Sequence, residues 1–554
     1  MRRSSINEDL LRRRYSSAPA PDGLRLSSAL ESLSLLVTDD LDDLETSTKS
    51  HVYGAIENAA ADVDGVVADL SVAALKAKVS AEAAILKDEL WAMTTLALPV
   101  IVTYVLELLP GIITLVLVGR MDNGENTKLY VDAAALAVML YNIVGLTTGL
   151  GILTALDTLC ASAHGANQPS KMGRFLLTGI VIMSILFCFV GVVLCNTTSI
   201  LLLLRQPAAV AHHAGIFVLW MLPGLPFLYA YELLRKLSQA RNETVPMIVS
   251  AVVCLLVNVG SGYYMVSYTR LGWIGAALAR TLGTMTMVPT VFVGMYCTDR
   301  EFLAHVWSGF RVKEAITKKA ITKFLSLGIP GALQLMFEWI AFEILALECG
   351  ILPDENQAIV AIGANAISLQ ISSVMYMLYL GASVAGSIRI GNALGAGDTH
   401  RAKVASYLAL ALGVLLSCVN IMFILSRRLT LPSFFTSDED LIRKTQDLLL
   451  VFAYFQLPDA VNGIDQGIFR AIGKQSLAAK LNAIAYYAVG IPLGYLLGLS
   501  LGLGVEGLWY GLVAGLIWGA TLNTIILLRL DWEQLSLDTE RRLSIAHGDE
   551  YINA

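Results

Sequence analysis

The sequence predicts an all-α polytopic membrane protein whose twelve transmembrane helices form two six-helix repeats, an N-lobe and a C-lobe, around a central cavity. Three observations predict it. Of 554 residues, 56% are hydrophobic and only 15% charged, where a soluble chain carries about 25% charged side chains. The mean hydropathy of +0.64 fits a chain whose flanks are covered by lipid rather than water. Apolar runs of membrane-crossing length recur along the chain, and the second half repeats the first at a nearly constant offset.

Residues 1–83 read as a cytoplasmic N-terminal tail, partly disordered. Residues 1–89 hold 10 Lys/Arg against 16 Asp/Glu, which accounts for the whole net charge of −6. No basic domain remains, so nucleic acid is excluded as a partner. After Met1-Arg2-Arg3 no apolar segment follows, which argues against a signal peptide. Hydroxyls beside Arg2-Arg3 and Arg12-Arg13-Arg14 are candidate phosphorylation sites, and Glu31 with Leu35-Leu36 fits an acidic dileucine sorting signal. The Ala/Val-rich stretch from about 54 to 90 is a candidate amphipathic surface helix.

The N-lobe (84–300) contains apolar runs at about 95–118, 131–157, 174–196, 209–233, 246–268 and 273–297. A charged linker (301–323) leads to the C-lobe (324–530), with runs at about 324–349, 358–385, 404–426, 445–468, 477–500 and 506–529. Residues 531–554 read as a C-terminal tail. Leu98-Pro99 matches Ile329-Pro330, and the same offset of 231 carries Glu107 to Glu338 and Gly119 to Gly350. Gly165-Ala166 pairs with Gly395-Ala396 at 230, and Gly262-Tyr263 with Gly494-Tyr495 at 232. Repeats with an even number of spans share one orientation, which places cargo between them and lets them rock alternately. Loops after even-numbered spans carry about 17 Lys/Arg against about 7 elsewhere, so both termini are expected to be cytoplasmic. Asn196-Thr197-Thr198 is then a glycosylation sequon on the far side, whereas Asn242-Glu243-Thr244 faces the cytoplasm and should stay bare. The seven cysteines are scattered without CxxC spacing and no His pair has ligand spacing, so neither a metal nor another cofactor is expected.

Several motifs resemble those of MATE transporters, most closely their eukaryotic branch. They are Asp157-Thr158-Leu159-Cys160 with His164-Gly165-Ala166, Glu338-Trp339 with Phe342-Glu343, and Ser387-Ile388-Arg389-Ile390-Gly391-Asn392-Ala393-Leu394-Gly395-Ala396-Gly397. Gly467-Ile468-Phe469-Arg470-Ala471-Ile472-Gly473-Lys474-Gln475 and Asn482 with Tyr486-Tyr487 and Gly490-Ile491-Pro492 complete the series in family order, over about residues 84–530. The resemblance implies a polyspecific exporter of organic cations, drugs or related metabolites by proton or sodium antiport, protons being the counter-ion in the eukaryotic branch. It also implies a C-lobe proton site that includes Glu338, often Glu343, and an acid at the position of Asp459. Gln370 stands where human-type relatives have a further Glu, and Thr114 where prokaryotic relatives have an Asp, so neither of those proton positions is expected here.

The residues themselves support acids as the working groups. An ionisable side chain at the centre of a membrane helix costs about 2.5–3.5 kcal/mol on insertion scales and is a functional candidate by default. Burial favours the protonated carboxyl, so one acid can alternate between holding a proton and holding a cation. Glu338 shares a helical face with Gln334, and Phe337 and Trp339 beside it offer aromatic surface to a cation. Asp459 follows Pro458 and lies on a stripe with Gln456, Gly463 and Gln466, with Asp465 off that stripe. Cargo contacts are expected from Glu338, Trp339, Gln334 and Gln456, and from Gln370, Asn482 and Tyr486 on the eighth and eleventh helices. Glu107, the internal equivalent of Glu338, has two readings: a second titratable site in the N-lobe, or a Glu paired with a neighbour.

Rival classes fit less well. Gly395-Ala396-Gly397-Asp398 spells the GxGD of an intramembrane aspartyl protease, yet no Tyr-Asp partner occurs and no enzyme is expected. A lipid-linked sugar flippase of the wider superfamily would need several cavity arginines, and a sodium-coupled exporter of the same fold is the other alternative. The sequence thus predicts a proton-coupled antiporter, expected to be a monomer among membrane lipids, in the plasma or vacuolar membrane, carrying small organic cations or neutral metabolites.

Overall fold

A bilayer interior offers no water to free backbone groups, so long apolar runs close their hydrogen bonds within helices. The computed structural model describes residues 46–119 and 126–545, and every regular element among them is helical. The basic clusters and acidic dileucine of the N-terminal tail lie outside the described residues. Contacts divide the chain into two units, residues 1–84 and 85–554. The described part of the first unit is helical, belonging to helix Thr46–Gly119, so the expected amphipathic stretch is part of a long helix.

The second unit is built on twelve long helices among the described residues. We label them α1 (Glu82–Gly119), α2 (Thr127–Gly165), α3 (Pro169–Cys195), α4 (Ala208–Ala240), α5 (Val245–Tyr268) and α6 (Trp273–Thr298). They continue with α7 (Lys318–Gly350), α8 (Glu355–Gly395), α9 (Thr399–Arg427), α10 (Glu439–Ala471), α11 (Gln475–Ser500) and α12 (Gly504–Leu528). Ten of them are long and apolar enough to cross a membrane. The other two, α7 and α10, are 33 residues each and carry Glu338, Glu343, Glu348, Asp459 and Asp465. The helices less apolar than expected are those already singled out for their acids.

Two segments outside the expected spans are helical too. The linker holds helices Arg300–Ser308 and Val312–Ala315, and α7 begins at Lys318. Most of the C-terminal tail is likewise folded, as helix Trp532–Ile545 packed on α2, α8 and α9. Its buried face is Trp532, Leu535, Thr539 and Leu543, at helical spacing, and Lys171 Nζ donates to Leu543 O at 3.0 Å. A polar-looking segment thus hides one apolar stripe.

The internal repeat is visible in the contacts. A Cβ built on Gly165 would lie 2.0 Å from Asn392 O, and one on Gly395 would lie 2.1 Å from Ser162 O. The same offset relates Ser162 to Asn392 and Gly165 to Gly395, so α2 and α8 press their ends together reciprocally. Gly151 meets Ala332 of α7, and its equivalent Gly381 meets Ile101 of α1. The turns repeat as well. Asn167 (φ 55°) and Asn242 (φ 62°) in the first half stand where Gly397 (φ 76°) and Gly473 (φ 74°) stand in the second. Only Gly and Asn take that left-handed position readily, which also gives Asn242 a backbone role.

Met93, Leu96, Ala97 and Val100 of α1 belong to the core built by α8, α9 and α10. Phe324, Leu327 and Ala332 of α7 belong to the core of the first half. The starts of α1 and α7 therefore cross over, tying the halves at the face where α2 and α8 end. Glu89 of α1, 1% exposed, strengthens the tie by pairing with Arg389 (2.6 Å) and with Arg401. Gly395→Val should overpack this contact by about 1–3 kcal/mol. A lower melting temperature in detergent checks it, against an unchanged melt for Val at the open position Gly260.

Candidate functional site: a carboxyl cluster between α7 and α10

Proline inside α10 and a π-helical turn inside α11 (Ile484–Gly490) depart from regular helix where polar side chains gather. Asp459, beside Pro458, is 4% exposed, and Glu338 of α7 is 5% exposed. Glu338 is the charged group that bears on Asp459. The polar neighbours of Glu338 are Gln466 and Arg470 of α10 and Tyr376 of α8. Tyr486, from the π turn of α11, completes the cluster, within electrostatic reach of both carboxyls and Tyr376. Neither acid makes an ion pair among the described residues. The Arg470 guanidinium donates to Ser383 Oγ at 3.1 Å and lies 3.9 Å from Asp157.

Several buried polar atoms here have no protein partner: Glu338 Oε2, Gln466 Nε2, Tyr486 OH, and both amide atoms of Gln334 and Asn482. Such atoms are rare in a native interior and are available to a bound molecule. Gln456 is engaged instead, its Oε1 accepting from Tyr379 OH at 2.5 Å, while its Nε2 is unpartnered. Asp465 accepts from Thr524 at 3.0 Å and belongs to the α10–α12 contact.

Other expected residues lie elsewhere. Glu343 is partly buried, about 140° round α7 from Glu338. Trp339 is 42% exposed and Gln370 is exposed, so neither joins the enclosed cluster. Asn196 caps α3 and is exposed, its Nδ2 donating to Val192 O at 2.8 Å. Glu107 takes the paired reading: Arg235 donates to it at 2.7 Å and Tyr231 at 2.6 Å, and Arg235 also binds Glu232 at 2.5 Å. Lys236, next on α4, pairs with Asp157 at 2.6 Å.

The repeat explains the contrast. The offset that carries Glu107 to Glu338 carries Arg235 to Gln466. One half pairs its acid with a guanidinium, which Glu232 shares, and the other leaves the equivalent acid beside an amide, with Arg470 near it but in no ion pair among the described residues. Arg235 and Gln466 could have been matched from the sequence; Tyr376 could not, because one more aromatic in an apolar helix has no distinguishing spacing. Removing Arg235 would strand the buried carboxylate of Glu232 and the partly buried one of Glu107 at about 3–5 kcal/mol, so Arg235→Gln should sharply lower the yield of folded protein. Glu107→Gln, which leaves Arg235 its partner Glu232, should fold and keep the pH dependence of transport, as vesicle flux assays would show.

The MatE family model matches the chain twice, over residues 99–264 and 330–496, each match starting at one of the paired prolines. The chain belongs to the MATE family. Multidrug and toxin extrusion protein 1 of Oryctolagus cuniculus is 32% identical over 446 residues, covering 80% of this chain and 76% of the relative. The human protein of that name is 31% identical over 449 residues, covering 81% and 76%. The crystal structure of the eukaryotic MATE transporter AtDTX14 superposes with a TM-score of 0.76 at 26% identity, covering 83% of this chain and all of that one. This MATE protein is therefore a multi-pass membrane transporter of the eukaryotic branch and not an enzyme.

Proposed function

We infer that this MATE protein exports organic cations, drugs or neutral metabolites in exchange for protons. Its twelve long helices act as two six-helix lobes that rock about a central cavity. The observation that carries this reading is the pair Glu338 and Asp459, both buried and without an ion-pair partner among the described residues, whereas the internal equivalent Glu107 is paired with Arg235. A cation entering the cavity supplies the charge the pair lacks. Protonation from the far side removes that charge and weakens the hold on cargo, and return of the proton to the cytoplasm restores it. Gln334, Asn482 and Tyr486 then contribute hydrogen bonds, Glu343 lies outside the pair, and Glu107 serves structure.

The tied face, rich in Arg and Lys at the ends of α2 and α8, is cytoplasmic under the positive-inside rule, which puts both termini there. The described conformation is in that case closed to the cytoplasm. A plasma or vacuolar membrane fits, each having an acidic far side. Purified protein in liposomes, loaded with a fluorescent organic cation, tests the coupling under an imposed pH gradient with a sodium gradient in parallel. Flux should follow the pH gradient; flux that follows sodium alone would replace the proton by sodium at this site.

A further inference from the structure

Burying a guanidinium in a membrane helix is costly unless an acid or a ligand meets it. Arg235, Lys236 and Arg389 each have a carboxylate within 2.7 Å. Arg280, in the apolar stretch of α6, has none among the described residues. Among the described residues the titratable groups that bear on it are Tyr141 and Cys254, both neutral at physiological pH. Its Nη2 donates to Asn142 Oδ1 at a long 3.3 Å, and its Nη1 is enclosed without a hydrogen-bond partner. The side chain as a whole remains partly accessible. It fits beside the Tyr141 ring, 5.6 Å from the centroid, with Gly111 of α1 opposite, where even a built Cβ would stay 3.8 Å from Nη1.

A second observation marks the same place. Tyr141 and Asn142 open a π-helical segment of α2, Tyr141–Thr147, a departure from regular helix that recurs at functional sites. The other half places a π segment at Tyr486, beside Glu338 and Asp459. Arg280 has no counterpart there: the offset of 232 that pairs Leu271-Gly272 with Leu503-Gly504 carries it to Leu512. Among the described residues, one half thus holds acids outside any ion pair and the other a base outside any ion pair.

We propose that Arg280 is the anchor of an anion-recognising subsite, which makes a carboxylate-bearing organic cation the preferred cargo. A planar fork of donors suits a carboxylate, Asn142 can add one more hydrogen bond, and the Tyr141 face supports an aromatic or apolar linker. This rests on the exporter reading above, and the test separates the two.

The experiment measures uptake by full-length protein in liposomes, under a fixed pH gradient, of N-methylpyridinium and of its ring-carboxylate analogue. Wild type should favour the carboxylate-bearing probe. Arg280→Gln should lose uptake of that probe by about tenfold or more, while N-methylpyridinium uptake is kept or raised. A preference unchanged in Arg280→Gln, or equal loss of both probes from protein with a wild-type melt, overturns the subsite. If that variant does not fold, wild-type vesicles decide: benzoate should slow uptake of the carboxylate-bearing probe, and no effect overturns the proposal. Wild type that carries N-methylpyridinium alone removes the anion subsite and leaves the exporter standing. Wild type that carries neither probe contradicts the exporter reading as well.

Discussion

Glu338→Gln should reduce pH-driven uptake of an organic cation to the level of protein-free vesicles while the protein stays folded. The amide keeps the volume of the acid and its contacts with Gln466 and Tyr376, but can neither bind a proton nor offset a cation. It also removes a buried unpaired acid, a group that costs about 2.5–3.5 kcal/mol at the centre of a membrane helix, so the melting temperature should hold or rise. Loss of function with retained stability is the signature of a working group. Asp459→Asn should act in the same direction, because Glu338 is the charge that bears on Asp459. Uptake that survives Glu338→Gln would remove this acid from the coupling site.

The second large effect comes from making the C-lobe resemble the N-lobe. Gln466→Arg should place a guanidinium where Arg235 stands, and convert the Glu338 site into an ion pair like Arg235–Glu107, which spans 2.7 Å. Two unit charges about 4 Å apart attract by about 4 kcal/mol at an effective dielectric of 20, which is about a thousandfold in competition against a cationic cargo. Uptake should therefore be lost about as fully as in Glu338→Gln, although every acid is still present. Gln466→Met, of similar volume and without charge, separates this from crowding and should keep substantial activity. Normal transport by a folded Gln466→Arg protein would show that the missing countercharge is not what makes the C-lobe acid available.

Much of this was legible in the sequence because hydrophobic runs and an internal offset are long-range signals that a single residue cannot blur. Pro99 and Pro330, Gly165 and Gly395, and Glu107 and Glu338 can all be paired from the sequence alone, and the contacts of α2 with α7 and of α8 with α1 follow that pairing. Glu338 and Asp459 were legible because an acid in an apolar helix demands an explanation. Which face Trp339 turns was not, since a tryptophan fits a cavity or a lipid-facing surface equally well. Glu107 remained ambiguous because its partner Arg235 lies on another helix, 128 residues away. The C-terminal helix was missed because its apolar stripe is diluted by Glu533, Gln534, Asp538 and Glu540 on its other faces. Arg280 reads in the sequence as one charge in an apolar run; only its neighbours reveal that no acid among the described residues meets it.

In the proposed exchange, one carboxyl pair holds either a proton or a cation. The most direct measurement is proton release from purified protein in weakly buffered detergent solution when an organic cation is added. Wild type should release protons in proportion to the cargo bound, and Glu338→Gln should release fewer or none. Cargo that binds to wild type without releasing protons would contradict the claim.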